Sequence, residues 1–408
     1  MAHPLPVFIL QLIIIIIASR LCAFLFKKIG QPPVMGEIIA GIALGPSLFG
    51  ALAPDISAFI FPPASLGNLQ LLSQIGLILF MFVIGMELDL NIIKRKARSA
   101  VFISNASIIL PFALGAGLSF FLHTSYAPAG ISKLAFALFM GIAMSITAFP
   151  VLARVLKEKN LSQTKLGAVA LTAAAINDVT GWCILAFVIA LAKADGMATS
   201  FYTLGATIAY MAVMLLAVRP FLKKLSAQKS NDTLIKQSSL AIIFLILLGS
   251  AYACEVIGIH ALFGAFMAGV VMPIEWNFRK LIIDKVEDVA SIMFLPIFFV
   301  LTGLRTQINL LNDPALWSIC LVIIALAIIG KFGGSYIAAR IAGESKHDSL
   351  AIGALMNTRG LMELIILNIG YDLGILSPEI FTMMVIMALV TTFMTSPVLD
   401  LLKTRHDQ

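Results

Sequence analysis

The sequence predicts an all-α polytopic membrane protein with about thirteen transmembrane helices, and three observations predict it. Of 408 residues, 60% are hydrophobic and only 12% are charged, whereas a soluble domain carries about 25% charged residues. The apolar residues fall in runs close to the ~20 that a spanning helix needs. The lysines and arginines gather in alternate loops, as expected when one side of a membrane holds the positive charge.

Taken in order, the apolar runs are 6–28, 34–49, 68–88, 99–122, 132–156, 166–192, 199–222, 235–256, 259–273, 287–303, 314–341, 347–370 and 376–402. Only His3 precedes the first run, while Arg20, Lys27 and Lys28 follow the core of that run. This is the reverse of a signal peptide, so a retained first helix with its N-terminus outside is expected. The second and ninth runs are short and broken by Gly and Pro, which predicts short or tilted spans. With the N-terminus outside, 22 of the 28 Lys and Arg fall on the inner side, among them Lys94, Arg95, Lys96, Lys229, Lys236 and Arg405. Lys133 and Lys193 fall outside, and Arg20, Arg305, Lys331 and Arg359 lie in or at the edge of spans. The net charge of +7 thus reports orientation, with the C-terminus in the cytoplasm, and gives no support for nucleic-acid binding. The cysteines at 22, 183, 254 and 320 all lie in apolar runs without metal spacing and read as small core residues.

A weak internal repeat runs through the chain. Gly36-Glu37-Ile38-Ile39-Ala40-Gly41 resembles Gly264-Ala265-Phe266-Met267-Ala268-Gly269, and Phe82-Val83-Ile84-Gly85 resembles Phe299-Val300-Leu301-Thr302-Gly303. Each pair is seven spans apart, and an odd separation forces opposite orientations. Two inverted six-helix repeats joined by the seventh span are therefore expected. The fifth and twelfth spans should then both be interrupted. The fifth carries Thr147-Ala148-Phe149-Pro150 and the twelfth Asn357-Thr358-Arg359-Gly360. Proline removes a backbone donor, and glycine favours a break. Opposed broken helices at mid-depth are tolerated only where protein buries them or they line a cavity, and they point to a transporter site.

Asp178, in mid-span, is the candidate carrier. An ionised Asp there costs roughly 2.5–3.5 kcal/mol on insertion scales, so it marks a proton or ion site with a partner elsewhere. Asn177 can offer an amide oxygen to a cation or orient its neighbours. Thr147 can offer a hydroxyl and freed carbonyls. Lys331, nine residues from Arg340, is too deep to snorkel and points to the bundle interior as proton carrier, gate or structural partner. Arg359 and Glu363, four apart, can pair, or Arg359 can neutralise carbonyls freed at the break. With Pro150, Asn357 and Gly360 they support the broken helices. Glu37 and Glu87, near cytoplasmic helix ends, are cavity-lining or structural candidates, and Arg305 is expected at the interface. The sequence holds no phosphate loop, zinc spacing or nucleophile–base arrangement, so an enzyme is not expected. A gated monovalent cation channel without proton coupling is the alternative to a carrier.

The ordered set Gly36-Glu37-Ile38-Ile39-Ala40-Gly41 with Gly45-Pro46, Thr147-Ala148-Phe149-Pro150, Asn177-Asp178, Gly330-Lys331 and Asn357-Thr358-Arg359-Gly360 resembles the monovalent cation:proton antiporter-2 family. Its members include bacterial sodium/proton antiporters and the membrane part of glutathione-gated potassium efflux systems. The resemblance spans essentially the whole chain. It implies a homodimeric inner-membrane antiporter needing no cofactor, with Na+ or K+ exchanged for H+ at Asp178, Asn177 and Thr147. It also implies a core (99–192 and 314–408) moving like an elevator against a scaffold (1–98 and 230–303), linked by 193–229. Lys331 takes the place of the family's membrane lysine, and 357–360 that of the second unwound helix. Two departures follow. Electrogenic members have paired aspartates, whereas Asn177 precedes Asp178, which implies electroneutral exchange. Potassium efflux relatives continue into a nucleotide-binding domain, whereas this sequence stops at Gln408, so nucleotide gating by this chain is not expected.

Overall fold

The computed structural model describes residues 4–87, 97–161, 164–193, 197–227, 237–273 and 276–404. Of the basic residues used for orientation, Lys94, Arg95, Lys96, Lys229, Lys236 and Arg405 lie outside these. Among the described residues every regular element is helical. Eleven helices are long and apolar enough to span a membrane, and Lys133–Ala143 and Ala261–Val270 are shorter apolar helices. The two short pieces fall in the fifth and ninth runs, so the expected thirteen are recovered, with the fifth interrupted.

In chain order the helices are α1 (Pro4–Lys28), α2 (Pro33–Leu44), α3 (Phe49–Leu52), α4 (Pro54–Ile60), α5 (Pro63–Glu87), α6 (Ala97–Tyr126), α7 (Lys133–Ala143), α8 (Phe149–Glu158), α9 (Lys165–Lys193), α10 (Met197–Val213) and α11 (Arg219–Ala227). They continue as α12 (Gln237–Ile257), α13 (Ala261–Val270), α14 (Trp276–Val289), α15 (Leu295–Arg305), α16 (Pro314–Ile328), α17 (Gly334–Ile341), α18 (Lys346–Met356), α19 (Leu361–Asp372) and α20 (Pro378–Thr404). The chain divides into two compact units, one of Met1–Ser65, Asn91–Ile184 and Phe299–Gln408, the other of Leu66–Leu90 and Leu185–Phe298.

In the first unit, small residues let helices approach closely. Ala100, Ala170, Ala173, Ala174, Ala338, Ala339, Ala351 and Ala354 are all buried in one cluster, the small-residue packing that membrane helices use. This packing fixes α9, and with it Asn177 and Asp178, against α6, α17 and α18. In-helix prolines leave the carbonyl four residues earlier without its helical donor. Pro397 of α20 frees Phe393 O, and Gln31 Nε2 donates to it at 3.3 Å. In the second unit, π-helical turns at Met214–Val218 and Ala290–Phe294 end one residue before Pro220 and Pro296. The helix there widens by one residue instead of breaking.

The repeat appears as matching close contacts, each inside its own unit. In the first unit a Cβ on Gly36 of α2 would strike the Cys22 carbonyl, and one on Gly41 would lie 2.6 Å from Phe299 O. In the second, a Cβ on Gly264 of α13 would strike the Ser250 carbonyl, and one on Gly269 the Phe82 carbonyl. One constant sequence offset relates Gly36 to Gly264, Gly41 to Gly269 and Cys22 to Ser250. The glycines of the repeated motif are thus the points where backbones touch. The half-helices match likewise: Gly141 of α7 packs on Phe112 of α6, and Gly353 of α18 on Phe332.

Candidate ion site at the crossed helix breaks

Two interruptions create the site. Between α7 and α8, residues 144–148 leave the helix. Pro150 enters the first turn of α8, where its missing N–H costs nothing but prevents α7 from continuing. Between α18 and α19 the chain turns at Gly360, whose φ of 81° suits glycine and strains other residues. A Cβ there would also lie 3.2 Å from Val151 of α8. Among the eleven long spans of the described residues, the one holding this second break is the most enclosed, with 94% of an 18-residue apolar stretch buried, so its irregular backbone is sheltered by protein.

The breaks are stitched together. Ala148 N donates to Thr358 O at 3.1 Å, and Thr147 Oγ1 donates to Met356 O at 3.2 Å. The carbonyl end of α7 attracts cations, as the negative end of a helix dipole should. Arg359 Nη1 and Nη2 donate to Ala143 O and Met144 O at 3.1 and 2.8 Å, and Nη1 also donates to Glu363 Oε2 at 2.7 Å. Arg359 therefore does both things the sequence left open. Thr392 Oγ1 accepts from Arg359 N at 3.2 Å, and Thr395 meets Thr358 hydroxyl to hydroxyl at 3.1 Å.

Lys331 is fully buried on a π-helical turn, Ile329–Gly333, between α16 and α17. Its ammonium donates to Ser145 O in the first break and to Ser107 O, the latter at 3.2 Å. Ser107 O is free because Pro111, four residues on in α6, has no N–H to give it. Gly330 allows the approach, since a Cβ there would lie 2.9 Å from Pro111 Cα. The lysine is thus satisfied by carbonyls that proline and the break release, without a hydrogen-bonded carboxylate.

Asp178 and Asn177 are both 0% exposed. Asn177 Oδ1 accepts from Thr147 N at 3.0 Å, and its Nδ2 donates to Ser107 Oγ at 2.8 Å. The Asp178 carboxylate feels the Lys331 charge and the Phe149 amide at the start of α8. The positive end of α8 therefore faces it, the arrangement helix N-termini offer to anions. Neither Asp178 oxygen completes a hydrogen bond. A buried anion that feels an ammonium and faces a helix end, with neither oxygen in a completed hydrogen bond, can take a proton or a hard monovalent cation. No cluster of three or more His, Cys, Asp or Glu able to hold a metal ion occurs among the described residues.

The remaining candidates lie apart from this cluster of bonds. Glu37 is buried 3.8 Å from Arg20 and also feels Arg154. Glu87 ends α5 in the second unit, with Glu287 nearby. Arg305, the last residue of α15, donates to Asn368 Oδ1 at 2.8 Å and pairs with Asp372 at 2.9 Å. Sequence reasoning missed Ser107, Ser145 and Pro111. The proline inside the fourth apolar run was the available signal, because it announces a free carbonyl four residues back.

The family model described as "Sodium/hydrogen exchanger, transmembrane" matches residues 13–401. The chain belongs to this family. Within the sodium/hydrogen exchanger family, the chain is 46% identical over 388 residues to the Na(+)/H(+) antiporter NhaS4 of Synechocystis sp., covering 95% of each. It is 42% identical to Cation/H(+) antiporter 17 of Arabidopsis thaliana and 35% identical to K(+)/H(+) antiporter 1 of Saccharomyces cerevisiae, spanning about half the length of each. Its fold is similar to that of the sodium proton antiporter MjNhaP1 from Methanocaldococcus jannaschii (TM-score 0.69, 15% identity, covering 97% of this chain and 96% of that one). This exchanger is therefore a multi-pass membrane protein of a transporter family.

Proposed function

We propose that this exchanger trades protons for a monovalent cation, Na+ first and K+ as the other candidate cargo, by competition at Asp178. The observation that carries the reading is a fully buried carboxylate, facing the Phe149 amide without a completed hydrogen bond, at the crossing of two broken helices. Relatives named for Na(+)/H(+) and for K(+)/H(+) exchange support both cargoes. Asp178 binds the load, Asn177 and Thr147 contribute neutral oxygens, and Lys331 with Arg359, Glu363, Pro150, Asn357 and Gly360 keeps the broken helices charged and shaped for it. A single carboxylate exchanging one proton for one cation gives electroneutral turnover.

Alternating access in this reading moves the core, 99–192 and 314–408, against the scaffold, 1–98 and 230–303, in a homodimer of the cell membrane. The N-terminus lies outside and the C-terminus in the cytoplasm. Glu37 and Glu87 serve as lining or structural carboxylates. The test is Asp178→Asn in proteoliposomes with a pH-sensitive dye. Sodium-driven proton movement should disappear while the protein keeps its wild-type elution profile. Retained exchange would remove Asp178 from the mechanism.

A further inference from the structure

We infer that Asn357 supplies a neutral oxygen to the transported cation beside Asp178. The inference rests on the reading of Asp178 as the carrier. Asn357 caps the C-terminal end of α18 and is only 2% exposed, yet its Oδ1 has no hydrogen-bond partner. The carbonyls on either side of it, Met356 O and Thr358 O, accept from Thr147 Oγ1 and Ala148 N. The next residue, Phe149, turns its amide toward Asp178. Three buried oxygens without a completed hydrogen bond, two from Asp178 and one from Asn357, thus belong to residues on or facing the two stitched breaks.

A buried polar group without a partner calls for an explanation, and a transient load provides one. Asn177 already has a donor on Oδ1 and an acceptor for Nδ2, whereas recruiting Asn357 Oδ1 breaks no bond. The same oxygen suits both loads. A protonated Asp178 becomes an O–H donor that Asn357 can accept, and an ionised Asp178 shares a cation with it. Asn357 thus adds a ligand from the second break to the set from the first.

The test measures sodium-driven proton movement in proteoliposomes of the full chain. It is combined with sodium-dependent thermal stabilisation of the purified protein. Asn357→Ala should raise the apparent KM for Na+ about tenfold, equivalent to ~1.4 kcal/mol, with a smaller fall in maximal rate. Most of the sodium-dependent stabilisation should be lost. Asn357→Asp places a second carboxylate in the site and should make exchange depend on membrane voltage. A folded Asn357→Ala with wild-type KM would overturn the assignment. If Asn357→Ala fails to fold, Asn357→Ser decides on the same KM. Loss of exchange in Asp178→Asn together with unchanged KM in the Asn357 variants would remove this ligand and leave the proposed function standing.

Discussion

At the residue scale, the cost of a mid-membrane carboxylate is offset by a helix end and an ammonium, and the cations Lys331 and Arg359 are held by backbone carbonyls that a break or a proline has released. Arg359 is the keystone of that arrangement because it closes the carbonyl end of α7 and neutralises Glu363 at once. Arg359→Met should leave Glu363 buried without its partner, a change that costs about 3–5 kcal/mol when a buried pair loses one member. A melting measurement in detergent should show the loss. Arg359→Met combined with Glu363→Leu should recover part of it, and a single variant as stable as wild type would contradict the role. Asp178 and the Arg359–Glu363 pair were legible because charge in an apolar run and an i,i+4 spacing are local signals. The partners of Lys331 were not legible. They are main-chain carbonyls whose availability depends on Pro111 and on a break in another span.

At the element scale, repeated glycines mark where α2 and α13 touch the backbones of their neighbours. Gly41→Val would drive side-chain atoms into the backbone of Phe299 and Val300, where even a Cβ would lie 2.6 and 2.7 Å away. Overpacking of this kind costs about 1–3 kcal/mol, so the variant should melt lower or lose its monodisperse fraction. Gly67 of α5 has nothing within 4 Å of such a Cβ. Gly67→Ala should therefore match or slightly exceed wild type in the same assay, since alanine favours a helix by roughly 0.5–1 kcal/mol over glycine. Both breaks were legible from Pro150 and Gly360, and the repeat from its glycine spacing. The π-helical turn under Lys331 was not, because Gly330, Gly333 and Gly334 permit several local geometries and only packing on α6 selects one.

At the scale of the whole molecule, the inverted repeat supplies two half-helix breaks, and in the proposed mechanism one carboxylate at their crossing serves both cargoes in turn. Binding to a carboxylate requires its deprotonation, so the cation and the proton compete. At a fixed gradient the apparent KM for Na+ should rise as pH falls, approaching about tenfold per unit in the acid limb, while the maximal rate at saturating Na+ holds. A KM independent of pH with a falling maximal rate would indicate separate proton and cation sites. The central claim is that one group, Asp178, carries both. It is tested most directly by calorimetric titration of the purified exchanger with Na+ in two buffers of different ionisation enthalpy. The account predicts a buffer-dependent heat that approaches one proton released per cation bound as pH falls, and no sodium heat in Asp178→Asn. Sodium binding whose heat is the same in both buffers across that pH range would contradict it.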